Sequence, residues 1–171
     1  MKAKEICINV SPSLQPSPSP FHYHCAMVIR IDSPDKLNEV AEVLLSLFDK
    51  GYSVVLINGE LGSGKTTLVK AICQSLAVME PVSSPTFSLV QEYISPSRGV
   101  IYHMDLYRLS LPQDLEQIGF SEYLDSGNLC FVEWPDLGTS YYSMPHVGID
   151  IGVESGNIRN FKITTNDAVD A

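Results

Sequence analysis

Apolar positions along this chain fall into short blocks whose spacing switches between the strand and the helix period. Residues 26–31, Ala-Met-Val-Ile-Arg-Ile, predict a strand, and Ser33-Pro34 behind them pairs an N-cap with a proline at the first helical position. Leu37, Val40, Ala41, Leu44 and Phe48 then recur at helical spacing until Gly51, which predicts a helix with one apolar stripe packed on a sheet. Residues 53–58 are strand-like and residues 68–76 helix-like. Residues 82–93 predict a loop running into an alternating strand, joined by a turn at 95–99 to a second strand over 100–105. A short helix over 112–118 closes at Gly119, and residues 121–125 add a further turn. Residues 129–133 are a fully apolar run ending on a carboxylate, the pattern of a buried strand in a parallel sheet. Alternating strands over 146–153 and 158–163 flank a turn at 154–157. Antiparallel hairpins and a parallel strand–helix unit together predict a three-layer α/β sandwich with a mixed, partly parallel sheet.

Ahead of these blocks, residues 11–20 read Ser-Pro-Ser-Leu-Gln-Pro-Ser-Pro-Ser-Pro, a tract that supports neither a ladder nor a helix. The expected organisation is a disordered extension over 1–25, one domain over 26–165 and a tail over 166–171. His22-x-His24-Cys25 supplies three potential metal ligands, but in a disordered approach to a strand they read as incidental. With 171 residues and 44% hydrophobic content there is chain enough for one packed core.

Net charge is −9 with Lys and Arg scattered, so the electrostatic footprint of a nucleic-acid binder is missing, and any RNA is expected to be held by a partner. Cys7, Cys25, Cys73 and Cys130 form no Cys-x-x-Cys pair and are read as reduced thiols of a cytoplasmic protein. No apolar run approaches the roughly eighteen residues needed to span a bilayer, and the long apolar stretch of a signal peptide is not seen at the N-terminus.

Residues 59–67 carry the chemistry: Gly-Glu-Leu-Gly-Ser-Gly-Lys-Thr-Thr between a strand-like and a helix-like run. This is a complete Walker A phosphate loop in its proper context, which places the sandwich among the P-loop NTPases. The glycines let successive N–H groups point at phosphate oxygens, and the helix N-terminus adds partial positive charge. Lys65 would reach the β and γ phosphates, and the Thr66 hydroxyl would ligate Mg²⁺. A plain Gly-rich turn with a surface lysine requires none of the Gly59, Gly64, Lys65 and Thr66 spacing. A Mg²⁺-nucleotide site also needs carboxylates, and Glu133 and Asp105 both end strands, where ligands of open α/β sheets gather. The plain alternative for each is an exposed acid that caps a turn.

Four ordered motifs go further: residues 59–67, then Ser-Pro-Thr-Phe-Ser-Leu-Val at 84–90, His-Met-Asp-Leu-Tyr-Arg-Leu at 103–109 and Val-Glu-Trp-Pro at 132–135. In this order and spacing, over residues 27–165, the chain resembles the TsaE family. The resemblance implies an ATPase needed to make threonylcarbamoyladenosine beside the anticodon of tRNA, working with the TsaB and TsaD pair and using ATP and Mg²⁺. It implies that Leu61, Gly62, Ser63, Gly64, Lys65 and Thr66 hold the phosphates, that Thr66 and Glu133 form the metal site, and that Thr67 is a hydroxyl important to hydrolysis. Asp105 would position water or metal, Thr86 would sit in a switch-like loop, and Trp134 would lie near the nucleotide or a partner surface. Trp134 beside Pro135 can equally close the core edge. Arg108 would answer developing phosphate charge, or pair instead with Asp114 or Glu116. Arg159 in the last hairpin would flank the base, and residues 33–35, at the start of the first helix, would lie near it. Met104 stands where the family has Phe, a volume-conserving exchange.

The expected mechanism is hydrolysis used as a conformational switch, slow alone and stimulated when partners order the Thr86 loop. A small-molecule or nucleotide kinase is the chief rival, although the chain has only Arg30, Arg98, Arg108 and Arg159 to place over a transferred phosphate. No Asn-Lys-x-Asp guanine-reading sequence favours a GTPase. A non-hydrolysing assembly factor that binds ATP to dock on its partners is the third reading.

Overall fold

The computed structural model describes residues 23–154 and 156–167, with side chains from Ala26 onward. The expected N-terminal extension through residue 22, the last four residues and the side chains of the His22-x-His24-Cys25 group lie outside that description.

Among the described residues the strands are β1 (Tyr23–Ile31), β2 (Val54–Gly59), β3 (Val90–Ser95), β4 (Gly99–Asp105), β5 (Leu129–Glu133), β6 (His146–Val153) and β7 (Arg159–Asn166). The α-helices are α1 (Leu37–Phe48), α2 (Lys65–Ser75), α3 (Pro112–Gln117) and α4 (Phe120–Leu124). The strands form one sheet in the order β1-β7-β6-β2-β5-β4-β3. Its centre, β6-β2-β5-β4, is parallel, while β7, β1 and β3 pair antiparallel at the edges.

Residue alternation decides what each face buries. From β2, Val55 and Ile57 join Phe131 and Ile149 under the α1 stripe (Val40, Leu44, Phe48) and under Leu68 and Ile72 of α2. Val54 and Leu56 point the other way, with Met104 and Val132, onto Leu115, Phe120 and Tyr142. This is the expected three-layer sandwich, and each fully buried aliphatic or aromatic side chain contributes about 1.5–3 kcal/mol. Continued along β4 and β5, the same alternation sends His103, Asp105 and Glu133 toward the α2 face, at the carboxyl end of the parallel strands.

Several boundaries differ from the sequence reading. Helix α2 starts at Lys65, three residues early, because Gly64 at its N-cap takes a left-handed φ of 110° and turns the chain directly into the helix. Strand β1 starts at Tyr23 rather than Ala26, and β7 extends past Ile163 through polar Thr164, Thr165 and Asn166, which are held by pairing on both sides. Residues 121–125 contribute to α4 rather than to a turn alone. Residues Pro135–Tyr141 form a 3-10 helix that no periodicity announced.

Cys73 and Cys130 are free thiols, and burial pushes each up to about 12. No helix among the described residues is long and apolar enough to cross a membrane.

Candidate functional site

Strand β2 delivers the chain to the phosphate loop through Gly59, whose φ of +151° and surroundings admit no side chain. A Cβ there would lie 2.6 Å from the Ser63 hydroxyl and 3.0 Å from the Ile151 carbonyl. At the start of α2, Lys65 is only 5% exposed. Its Nζ donates to the carbonyls of Gly59 (2.7 Å) and Glu60 (3.0 Å) and lies 3.8 Å from the centroid of the Trp134 ring. Burial lowers the Lys65 ammonium from its ordinary value, and the charges of Glu133 and Asp105 oppose that shift. The lysine is thus folded back on its own loop.

One turn on, Thr66 Oγ1 donates to Glu133 Oε1 at 2.8 Å. The same oxygen lies 2.8 Å from His103 Nε2. Glu133 is 2% exposed, and Oε2 has no hydrogen bond among the described residues although the side chain lines the cleft. Glu133 therefore keeps one oxygen anchored and presents the other.

Asp105, in register with Glu133 on the neighbouring parallel strand, is differently engaged. Its Oδ2 accepts from Thr86 Oγ1 (2.6 Å) and Ser84 Oγ (3.1 Å), and its Oδ1 accepts from the Tyr107 N–H (3.1 Å). The Asp105 N–H also donates to the carbonyl of Leu89, which sits at a left-handed φ of 64° where the loop turns into β3. The 84–89 loop is fastened to the end of β4 by the side chain and backbone of this one residue. Phe87, on the same loop, is 86% exposed.

A cleft of about 270 Å³ opens between these pieces. Leu61, Gly62, Gly64, Lys65, Thr66 and Thr67 form one wall. Thr86, Asp105, Glu133 and Trp134 line the rest, joined by Ser84 and Tyr107. Trp134 takes a left-handed conformation at the end of β5 and packs on Tyr107 with ring centroids 4.9 Å apart, so it faces Lys65 and the cleft as well as closing that edge. Three sequence-selected residues sit elsewhere. The Ser63 side chain is buried beneath the loop. The Arg159 Nε donates to the Ser63 carbonyl at 3.1 Å, and its Nη1 to those of Gly156 and Ile158, tying the last hairpin to the back of the loop. The Arg108 guanidinium lies 4.1 Å over the Phe87 ring. Asp114, one of its candidate acidic partners, instead accepts from the N–H groups of Ser110 and Leu111 at the start of α3.

His103, Ser84 and Tyr107 belong to the site without having been selected from sequence, although all three lie inside the quoted motifs. The usable signal for His103 was its position two residues before Asp105, which puts both on one face of the strand. A hydroxyl and a carboxylate 2.8 Å apart are hard oxygen donors, and with one carboxylate they suit Mg²⁺, which takes few protein ligands and completes its shell with phosphates and water. No group of three or more His, Cys, Asp or Glu among the described residues is arranged to hold a metal by itself.

Comparison with known proteins identifies the family. The family model described as "Threonylcarbamoyl adenosine biosynthesis protein TsaE" matches residues 31–161. The tRNA threonylcarbamoyladenosine biosynthesis protein TsaE of Haemophilus influenzae is 38% identical over 114 residues, covering 67% of this chain and 70% of the relative. The protein of the same name from Rickettsia felis is 33% identical over 139 residues, 81% of this chain and 80% of the relative. The crystal structure of YdiB from a Bacillus superposes with a TM-score of 0.67 at 26% identity, covering 84% of this chain and 86% of that one. A family model matched over most of the domain, together with relatives 38% and 33% identical over two thirds or more of both chains, establishes that the chain belongs to the TsaE family.

Proposed function

We propose that this protein is a Mg²⁺-dependent ATPase of the cytoplasm that supports the TsaB and TsaD proteins in forming threonylcarbamoyladenosine in tRNA. The observation that carries the reading is the Thr66–Glu133 hydrogen bond, which joins the phosphate loop to a strand-end carboxylate on the wall of one cleft. Family membership supplies the pathway, and the net charge of −9 favours contact with tRNA through the partners.

In this reading the loop N–H groups bind the phosphates, and Lys65 leaves the carbonyls of Gly59 and Glu60 to meet them. Mg²⁺ held at Thr66 and Glu133 would neutralise charge between the phosphates. Thr67 lines the same wall, close to where hydrolysis would occur. Asp105 acts through the loop it holds: the hydroxyls of Ser84 and Thr86 are committed to its carboxylate, so the loop's position over the cleft depends on those bonds. Phe87 and the Arg108 guanidinium stacked on it stand outside the cleft, where a partner can reach them and shift that loop. A switch is favoured over a kinase because none of the residues lining the cleft is an arginine that could follow a transferred phosphate to an acceptor.

The test is ATP hydrolysis by the purified protein, alone and with the matching TsaB and TsaD, with Lys65→Ala as control. Slow turnover that rises with the partners and disappears in the variant is expected. Absence of partner stimulation, with ATP-dependent phosphorylation of an added nucleoside or metabolite, would replace this reading with a kinase. Nucleotide-dependent complex formation without hydrolysis would replace it with an assembly factor.

A further inference from the structure

We propose that His103 is the positioning residue of the cation site, holding the Glu133 carboxylate in the orientation that serves Thr66 and the cleft. The proposal rests on the Mg²⁺-nucleotide reading above. His103 lies on β4 diagonally across from Glu133, since Phe131 is its register partner and Glu133 is two residues further along β5. Diagonal neighbours on one face of a sheet are about 7–8 Å apart at the backbone, a gap an imidazole and a glutamate side chain can bridge. The observed Nε2···Oε1 distance is 2.8 Å.

The imidazole is completely buried, and its Nδ1 has no hydrogen-bond partner among the described residues. A buried polar atom without a partner costs about 1–3 kcal/mol, which an apolar side chain of similar size would not incur. Packing alone therefore gives no reason for a histidine here, whereas the bond to Glu133 does. A carboxylate oxygen only accepts, so Nε2 is the donor in this pair.

The geometry also says what the bond accomplishes. Thr66 Oγ1 and His103 Nε2 converge on the same oxygen, Oε1. Two donors on one oxygen fix both the rotation of the carboxyl group and its side-chain rotamer. Oε2, on a side chain that lines the cleft, is left without competing bonds among the described residues, and Thr66 keeps its hydrogen toward Glu133. Without His103, Glu133 would be held by Thr66 alone, and the pair would have to be organised at the moment of cation binding. Residues that orient a ligand in this way typically contribute 10–100-fold to metal affinity.

Trp134, the chain's single tryptophan, packs on Lys65 and lines the cleft, so its fluorescence is a direct probe of binding. ADP is titrated into wild type, His103→Leu and His103→Gln, first with EDTA and then at fixed ADP with increasing MgCl₂. The leucine variant is expected to bind ADP normally in EDTA but to need about tenfold more Mg²⁺ or above for the same response. Glutamine, whose amide N–H can reach the same oxygen, is expected to restore most of the shift. Should the leucine variant not fold, His103→Asn, whose shorter amide falls short of Glu133, replaces it. An unchanged Mg²⁺ midpoint in the leucine or asparagine variant overturns the proposal, as does equal loss of ADP binding in EDTA with no rescue by glutamine, which would mark a structural role. A wild type whose ADP binding ignores Mg²⁺ would refute the Mg²⁺ part of the proposed function and this inference with it, whereas a wild type that binds no ADP at all would refute the nucleotide-site reading.

Discussion

Exchanging Glu133 for glutamine separates the charge of this residue from its shape. The amide oxygen can still accept from Thr66 and His103, the two donors that now lie 2.8 Å from Oε1. A hydrogen bond to an ionised acceptor contributes about 1.5–3 kcal/mol against about 0.5–1.5 for a neutral one, so the two bonds together weaken by about 2 kcal/mol. Burying a carboxylate that is 2% exposed costs several kcal/mol, and the exchange removes that cost. The opposing effects nearly cancel, and Tm should move by no more than about 5 °C at about 2–4 °C per kcal/mol. Glu133→Ala behaves differently, because it strands the fully buried His103 Nε2–H. An unsatisfied buried donor costs about 1–3 kcal/mol, and the lost packing adds to it, so Tm should fall by about 5–10 °C. Turnover should fall in both, by about 10²–10³-fold, the usual loss when one preorganised electrostatic group is removed. Phosphate release at saturating ATP and MgCl₂ with TsaB and TsaD present, alongside thermal melting without nucleotide, measures both. A glutamine variant that keeps turnover within tenfold of wild type would refute the role given to the carboxylate. An alanine variant as stable as the glutamine one would refute the claim that Glu133 is what satisfies His103.

Two further outcomes are expected. Arg159→Ala frees the Ser63 carbonyl, and nucleotide affinity measured by calorimetric titration should fall about tenfold, as loss of about 1.4 kcal/mol implies; unchanged affinity would show that the loop holds its shape unaided. Burial keeps the His146 imidazole below its ordinary 6.5, so as pH falls through 6.5 the unfolded chain takes up a proton that the folded chain does not. Stability should therefore be full above that pH and decline below it, and urea midpoints of wild type and His146→Gln on either side of 6.5 should show a flatter dependence in the variant; parallel curves would assign the acid loss to other groups.

What the sequence determined is what neighbouring residues decide among themselves. The phosphate loop was legible because its geometry is local: a strand end, closely spaced glycines and a helix start place Lys65 and Thr66 relative to one another whatever the rest of the chain does. Apolar periodicity likewise gave α1 its buried face, and the unbroken apolar run gave β5 its place inside the sheet. Alternation assigns a residue to a face of a strand, but it does not say which strand lies alongside or in what register. The tertiary structure alone decided that β1 closes onto β7 at the far end of the chain, and that Asp105 and Glu133 stand side by side. It also decided the two contacts that distinguish the roles at the site. Asp105 is committed to the Thr86 loop while Glu133 is shared between Thr66 and His103, partners that strand-end position, the feature both acids share in the sequence, does not specify. Arg159 reaches Ser63 across 96 positions of chain because β7 packs beside β6, which itself pairs with Gly59, an adjacency made by sheet order and invisible to any local pattern.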